Sequence, residues 1–255
     1  MTTLVTGASS GIGEALALEC AKRGETLFLS GRNAERLAAV AERCKALGAA
    51  AVFAKTVDVA DAEAMRAWME ECDAISPIER VFSNAGVSTG AETEANVRET
   101  FSVNVGGCLN TVLPAIDIMR RRGTGRRQII ITASIAGYAP LKACPSYSAT
   151  KSCVKTWALA LRGMLKPEGI KVSAVCPGFV RSRITDRNLC PMPFFMEADK
   201  AARKILRGAD RNTGLIAFPW PMRLGAWWLS ALPNRLAEIL SSILPENKKA
   251  PPENN

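Results

Sequence analysis

Short apolar runs alternate with amphipathic stretches over most of the chain, and that alternation predicts the fold. Residues 2–6 read as a strand that stops at Gly7-Ala8-Ser9-Ser10-Gly11-Ile12-Gly13. Ala15, Leu16, Leu18 and Ala21 then follow helical spacing, closed by Gly24. Residues 26–30 form a second strand, Gly31-Arg32-Asn33 a turn, and 34–47 a helix. A third strand at 50–56 leads to Asp58, and 62–72 is helical. Residues 80–82 are a buried-type strand ending at Asn84-Ala85-Gly86, followed by a long helix at 97–120. A strand at 128–132, a helix through Tyr147 and Lys151, and a strand at 171–175 broken by Pro177-Gly178 complete the series. Such β/α alternation predicts an α/β fold, one doubly wound parallel sheet with helices on both faces.

The pattern changes after residue 217. Leu224, Trp227, Trp228 and Leu232 keep helical spacing, as do Leu236, Ile239, Leu240, Ile243 and Leu244, with Pro233-Asn234 between the two sets. The chain therefore divides into a main domain at 1–217 (substrate loop about 181–196), an apolar helical extension at 218–244 and a polar, proline-bearing tail at 245–255 expected to be disordered. Arg223, Pro233, Arg235 and Glu238 interrupt the apolar run, so a spanning helix is not expected. Two uses of the stripes stay open. Packing on the core or on another subunit ranks first, because most apolar stripes are core. Peripheral membrane contact, with Trp220, Trp227 and Trp228 at headgroup level, is the second.

Composition narrows the class. The chain of 255 residues has 48% hydrophobic and 22% charged residues, as expected for one globular domain. Its net charge of +9 includes Arg120-Arg121-Arg122 and Arg126-Arg127, with neither interleaved aromatics nor a nucleic-acid-reading motif. A solvated helix end is the reading, and no nucleic-acid partner is expected. Eight cysteines without a C-x-x-C pair, in a chain with no histidine, predict reduced thiols and no metal site. A strand beginning at residue 2 leaves no room for a signal peptide and predicts a cytoplasmic protein.

The candidate chemistry lies at strand ends. A glycine turn between the first strand and helix lets backbone approach a pyrophosphate, to which the helix N-terminus offers N–H groups. In a sheet of this type Gly7, Asp58, Asn84, Ser134 and Pro177 gather at the carboxyl edge, where ligands bind. Tyr147 and Lys151 are four residues apart on a helix, so they share a face. A cation beside a phenol favours phenolate and so eases proton exchange with an alcohol or carbonyl.

Thr6-Gly7-x-x-x-Gly11-x-Gly13, Asn84-Ala85-Gly86, Asn104, Ser134, Tyr147-x-x-x-Lys151 and Pro177-Gly178 together resemble the classical short-chain dehydrogenase/reductase family, over about residues 2–205. Ser83 departs from the family, which often has a second asparagine there. The resemblance implies a Rossmann-type fold and an NAD(P)-dependent oxidoreductase. It implies Tyr147 as general acid/base, Ser134 bonded to the substrate oxygen, Lys151 on the nicotinamide ribose lowering the Tyr147 pKa, and Asn104 holding a relay water. It further implies a cofactor site made by Gly7, Ser9, Ser10, Gly11, Ile12, Gly13, Asp58, Val59, Asn84, Ala85, Gly86, Pro177, Gly178, Val180 and Ser182, and a homo-oligomer (dimer or tetramer).

Where an acidic residue at the end of the second strand would accept the ribose hydroxyls of NAD, this chain has Gly31 followed by Arg32, which favours NADP over NAD. Ser134, Tyr138, Leu141, Cys144, Tyr147, Phe194 and Phe195 are expected around the substrate, an apolar set suited to a hydrophobic ketone, aldehyde or alcohol. Arg181, Arg183 and Arg187 are read as solvated before they are read as a grip for an anion. The expected activity is NADP(H)-dependent interconversion of such a carbonyl with its alcohol. A non-catalytic dinucleotide-sensing or scaffold protein and an epimerase using the cofactor transiently remain the alternatives.

Overall fold

The computed structural model describes residues 1–186, 188–189 and 191–243. Leu244 and the expected tail at 245–255, with Arg187 and Cys190, lie outside the described residues. Seven parallel strands form one sheet: β1 (Thr2–Thr6), β2 (Thr26–Gly31), β3 (Ala51–Thr56), β4 (Arg80–Ser83), β5 (Gln128–Thr132), β6 (Lys171–Pro177) and β7 (Leu215–Phe218). Their order is β3-β2-β1-β4-β5-β6-β7. The chain winds outward from β1 in both directions, so the strand order reverses between β1 and β4, where Val5 pairs with Phe82. Crossovers on opposite faces leave a crevice beyond the carboxyl ends of those two strands.

Alternation along the strands feeds two cores. Leu4, Val81, Ile129, Ile131 and Val172 face one side. There they meet α3 (Ala62–Ile75), α5 (Gly107–Arg122) and α6 (Pro145–Leu165) through Met65, Trp68, Val112, Ile116, Val154 and Leu161. Val5, Leu29, Phe82, Ile130 and Val175 face the other. There α1 (Gly11–Ala21), α2 (Ala34–Ala46) and α8 (Ala198–Asp210) supply Leu16, Leu37, Val40, Ile205 and Leu206. Asn33 and Asp61 start α2 and α3 by accepting the N–H of Arg36 and Ala64.

The helix expected at 97–120 is longer and interrupted. α4 (Glu94–Phe101) runs into α5 through a π-helical turn at Ser102–Gly106, and Asn104 sits in that turn. A π turn inserts a residue and rotates the helix beyond it, and such turns gather at functional sites. The sequence pattern predicts neither α8 nor β7, which hydrogen-bonds to β6 from Leu215 opposite Ala174 to Phe218 opposite Pro177. Two short segments complete the fold: α7 (Arg183–Asp186) and a 3-10 turn at Ile135–Gly137. The extension after Phe218 forms α9 (Trp220–Ala231) and α10 (Asn234–Ile243), joined at Leu232 and Pro233.

Candidate active site

The turn after β1 is built for close approach. Gly7 and Gly11 have φ of 67° and 59°, a region that favours glycine. A Cβ on Gly7 would lie 2.8 Å from Ala85 Cα, and one on Gly13 only 2.1 Å from the Gly7 carbonyl oxygen. Thr6 ties this turn to the next strand end. Its Oγ1 accepts the N–H groups of Asn84 and Ala85 at 3.0 and 3.2 Å, while Asn84 Nδ2 donates to the Thr6 carbonyl. The result is a cleft of about 500 Å³ along the carboxyl edge of the sheet.

The cleft gathers most of the expected residues. Gly7, Ser9, Ser10, Gly11, Ile12, Arg32, Val59, Asn84, Ala85, Gly86, Pro177, Gly178, Val180 and Ser182 line it, together with Ser134, Tyr147 and Lys151. Gly13 does not reach the wall; it lets α1 start against β1. Asp58 is also off the wall and exposed, its carboxylate accepting the N–H of Ala60 at 2.9 Å. Asn104 is buried behind the cleft, where its amide accepts from Val87 N and donates to Val87 O and Thr150 Oγ1. Both amide protons and one lone pair are committed there, so a relay water would meet only the remaining lone pair or the main chain.

Ser134, Tyr147 and Lys151 meet at one end. Lys151 is 4% exposed, donates to the Thr132 carbonyl at 3.0 Å, and holds Nζ 5.7 Å from the centre of the Tyr147 ring. Burial pulls the lysine down to about 8. Burial also pushes the Tyr147 phenol up to about 12, against a smaller downward pull from the Ser134 hydroxyl. The depression of the phenol expected from Lys151 does not appear: burial of the ring sets the direction. A phenol so placed keeps its proton at neutral pH.

The substrate expectations divide. Ser134 and Tyr147 face the cleft. Tyr138 and Leu141 instead border a separate hollow of about 400 Å³ beside the N-terminal half of α6. Lys155 Nζ holds the Tyr138 ring from 4.2 Å while donating to the Gly137 carbonyl. Cys144 is the N-cap position of α6 and lines neither hollow. Phe194 is 58% exposed, and Phe195 is covered by the Arg181 guanidinium, so neither borders the cleft. These loop residues carry no period from which their direction could be read.

Arg36 went unread in the sequence, and Arg183, read there first as solvated, lines the cleft. Arg36 stands four residues after Arg32 on the first turn of α2, and Arg183 arrives from the segment after β6. Arg36 Nε is buried without a hydrogen-bond partner, and the nearby Arg183 charge helps to pull the Arg36 pKa down after burial has done most of it. Arg32 pairs with Glu99 of α4 at 3.5 Å. For Arg36 the available signal was its place on the first turn of α2, just after the Gly31-Arg32 turn; Arg183 was named as a grip for an anion but ranked below a solvated side chain.

Known proteins share this architecture. The short chain dehydrogenase family matches residues 1–189. An uncharacterized oxidoreductase of Myxococcus xanthus is 35% identical, covering 95% of this chain and 94% of its own. The 11-beta-hydroxysteroid dehydrogenase A of Sesamum indicum is 29% identical, over 88% of this chain and 70% of its own. A short-chain dehydrogenase from Sphingobium yanoikuyae, solved in complex with NADPH, superposes with a TM-score of 0.78 at 28% identity and covers 98% of both chains. A glycine turn that admits no Cβ, an anion-seeking arginine pair and a serine–tyrosine–lysine end fit a nicotinamide dinucleotide. The chain belongs to the short-chain dehydrogenase family and is an NAD(P)-dependent dehydrogenase/reductase.

Proposed function

We propose that the protein is an NADP(H)-dependent reductase of a hydrophobic ketone or aldehyde, with Tyr147 as the proton donor. The observation that carries this reading is the meeting of Ser134, Tyr147 and Lys151 at one end of a cleft whose wall also holds Arg32, Arg36 and Arg183. The glycine turn and Ser9–Ile12 would hold the pyrophosphate, Asn84–Gly86, Pro177, Gly178 and Val180 the nicotinamide half, and Lys151 its ribose. The nicotinamide, when bound, supplies the hydride. Tyr147 gives its proton to the substrate oxygen, and the Ser134 hydroxyl donates a second hydrogen bond to that oxygen. Lys151 is fixed by the Thr132 carbonyl and keeps a positive charge beside the phenol as it loses its proton.

NADP rather than NAD is favoured because Arg32 and Arg36 lack a strong partner. Arg32 has the exposed Glu99 at 3.5 Å, and Arg36 Nε has no acceptor. A 2′-phosphate would supply both. Arg32→Ala weakens NADPH by roughly 10- to 100-fold and leaves NADH nearly unchanged, as read by titration of nucleotide fluorescence. Equal losses for the two nucleotides would rule the assignment out.

The protonation states set a pH dependence. Tyr147, at about 12, stays protonated throughout the neutral range, whereas Lys151, at about 8, loses its charge above that pH. Reductive kcat/KM should therefore be level below pH 8 and fall by about tenfold per unit above it. A profile that stays level past about pH 9 would take the Lys151 charge out of the reaction.

Cys20, Cys44, Cys72, Cys108 and Cys176 are thiols buried among apolar core side chains, which supports a reducing, cytoplasmic setting. Phe101, Leu113, Leu159 and Met164 of α4, α5 and α6 are 43, 46, 38 and 57% exposed, which supports a homo-oligomer joined through those helices.

A further inference from the structure

The helices beyond the last strand leave a row of large apolar side chains in water. No residue of α9 is buried, and Trp220, Leu224, Trp227 and Trp228 are 74, 51, 53 and 60% exposed. Their spacing places them along one side of the helix. Leu236, Ile239 and Leu240 of α10, again three and four apart, are 50, 59 and 47% exposed. Three of the five tryptophans of the chain fall within these few residues of α9. The inner side of α9 is seated. Met222 and Ala226 pack against the core, and Met222 Sδ would be 2.9 Å from a Cβ on Gly178. The exposed row is therefore the outer surface of an anchored helix pair.

We propose that the outer surface of α9 and α10 docks on a lipid bilayer with anionic headgroups. Indole rings favour the boundary between headgroups and acyl chains, where an apolar ring and its N–H are both accommodated, and leucine and isoleucine reach below it. Charge selects the same occupant. α9 carries Arg223 and no acidic residue, and between 218 and 243 two arginines stand against the single Glu238, in a chain of net charge +9. A two-fold contact between copies would set this surplus of arginine against itself, whereas an anionic leaflet attracts it.

The pair lies on the surface and does not span. α9 has 12 residues and α10 has 10, against the roughly 20 that a crossing needs. Among the described residues one helix, Glu94–Arg122, is long and apolar enough to cross, and 56% of its apolar window is buried within the fold. α9 also borders the site: Met222 touches Gly178, and Arg223 acts on Tyr138. A lipophilic carbonyl held in the leaflet would thus sit near the cleft. The docking surface itself does not depend on which cofactor or substrate the enzyme takes.

The test uses the full chain with vesicles of phosphatidylcholine alone and of phosphatidylcholine with phosphatidylglycerol, read by flotation and by tryptophan emission. The protein should float with the anionic vesicles, more weakly with the neutral ones, and its emission should move to the blue. Trp227→Ser with Trp228→Ser should lower the partition by about tenfold or more. Both residues face water, so the variant keeps its fold, which unchanged dinucleotide binding would verify. Failure of the natural chain to float with either vesicle, or flotation of the double variant at the natural level, would overturn the proposal. A concentration-dependent oligomer that the double variant breaks, with no flotation, would assign the surface to a second copy instead.

Discussion

Tyr147→Phe lowers kcat/KM for carbonyl reduction by ~10²–10⁴-fold and leaves dinucleotide binding unchanged. The change removes one oxygen and little else. The ring still fills its place on α6, Lys151 keeps its bond to the Thr132 carbonyl, and the Ser134 hydroxyl remains in the cleft. What disappears is the proposed proton donor, and among the described residues no other group in the cleft is placed to replace it. Lys151 Nζ is held by Thr132 on the buried side, and the chain has no histidine. Ser134→Ala should cost less, because Tyr147 still protonates the substrate oxygen when the second donor is gone. Stopped-flow measurement of a single turnover separates the effects. An unchanged single-turnover rate in Tyr147→Phe would show that the proton comes from elsewhere.

The same residues show how far the sequence could be read. The succession of the first six strands along the chain and the glycine turn were legible because each rests on local chemistry: apolar runs of strand length, and φ values that favour glycine. Tyr147 and Lys151 were legible as a pair because helical spacing alone brings them together. Their proton affinities were not, since desolvation depends on what covers α6 and not on the helix itself. Asn104 was legible as a residue of interest but not as a clamp on Val87, because that contact needs the π turn at Ser102–Gly106. One inserted residue is invisible in a 3.6-residue period. β7 was missed because four residues carry too little period to be read, and its strand character comes from pairing with β6. Tyr138, Leu141, Cys144, Phe194 and Phe195 were chosen by apolar character in loops, where composition gives no direction, and none of them borders the cleft.

At the opposite edge of the sheet, Arg80→Ala destabilises the fold by about 3–5 kcal/mol, the cost of stranding a buried charge. Arg80 is 0% exposed at the start of β4, its guanidinium spread over three partners. Nη2 meets Asp210 at 2.8 Å, Nε donates to Gln128 Oε1 at 3.1 Å, and Nη1 faces Glu25, which is 2% exposed, at 3.5 Å. Asp210 has other cations in Arg23 and Arg126 and stays partly in water, so it survives the loss. Glu25 keeps the Thr3 hydroxyl, at 2.6 Å, and the Cys20 thiol, and would be left as a buried carboxylate without its paired cation. The residue thus matters more as a counter-charge than as packing. Two comparisons in urea separate those roles. Arg80→Met fills most of the space and should still lose most of the stability, while Arg80→Met with Glu25→Gln should recover a large share of it. If the double variant were no more stable than Arg80→Met, the space left by the guanidinium, and not the stranded carboxylate, would be the cause. Because Arg80 lies at the amino end of its strand, dinucleotide affinity measured well below the unfolding midpoint should not change in any of the three.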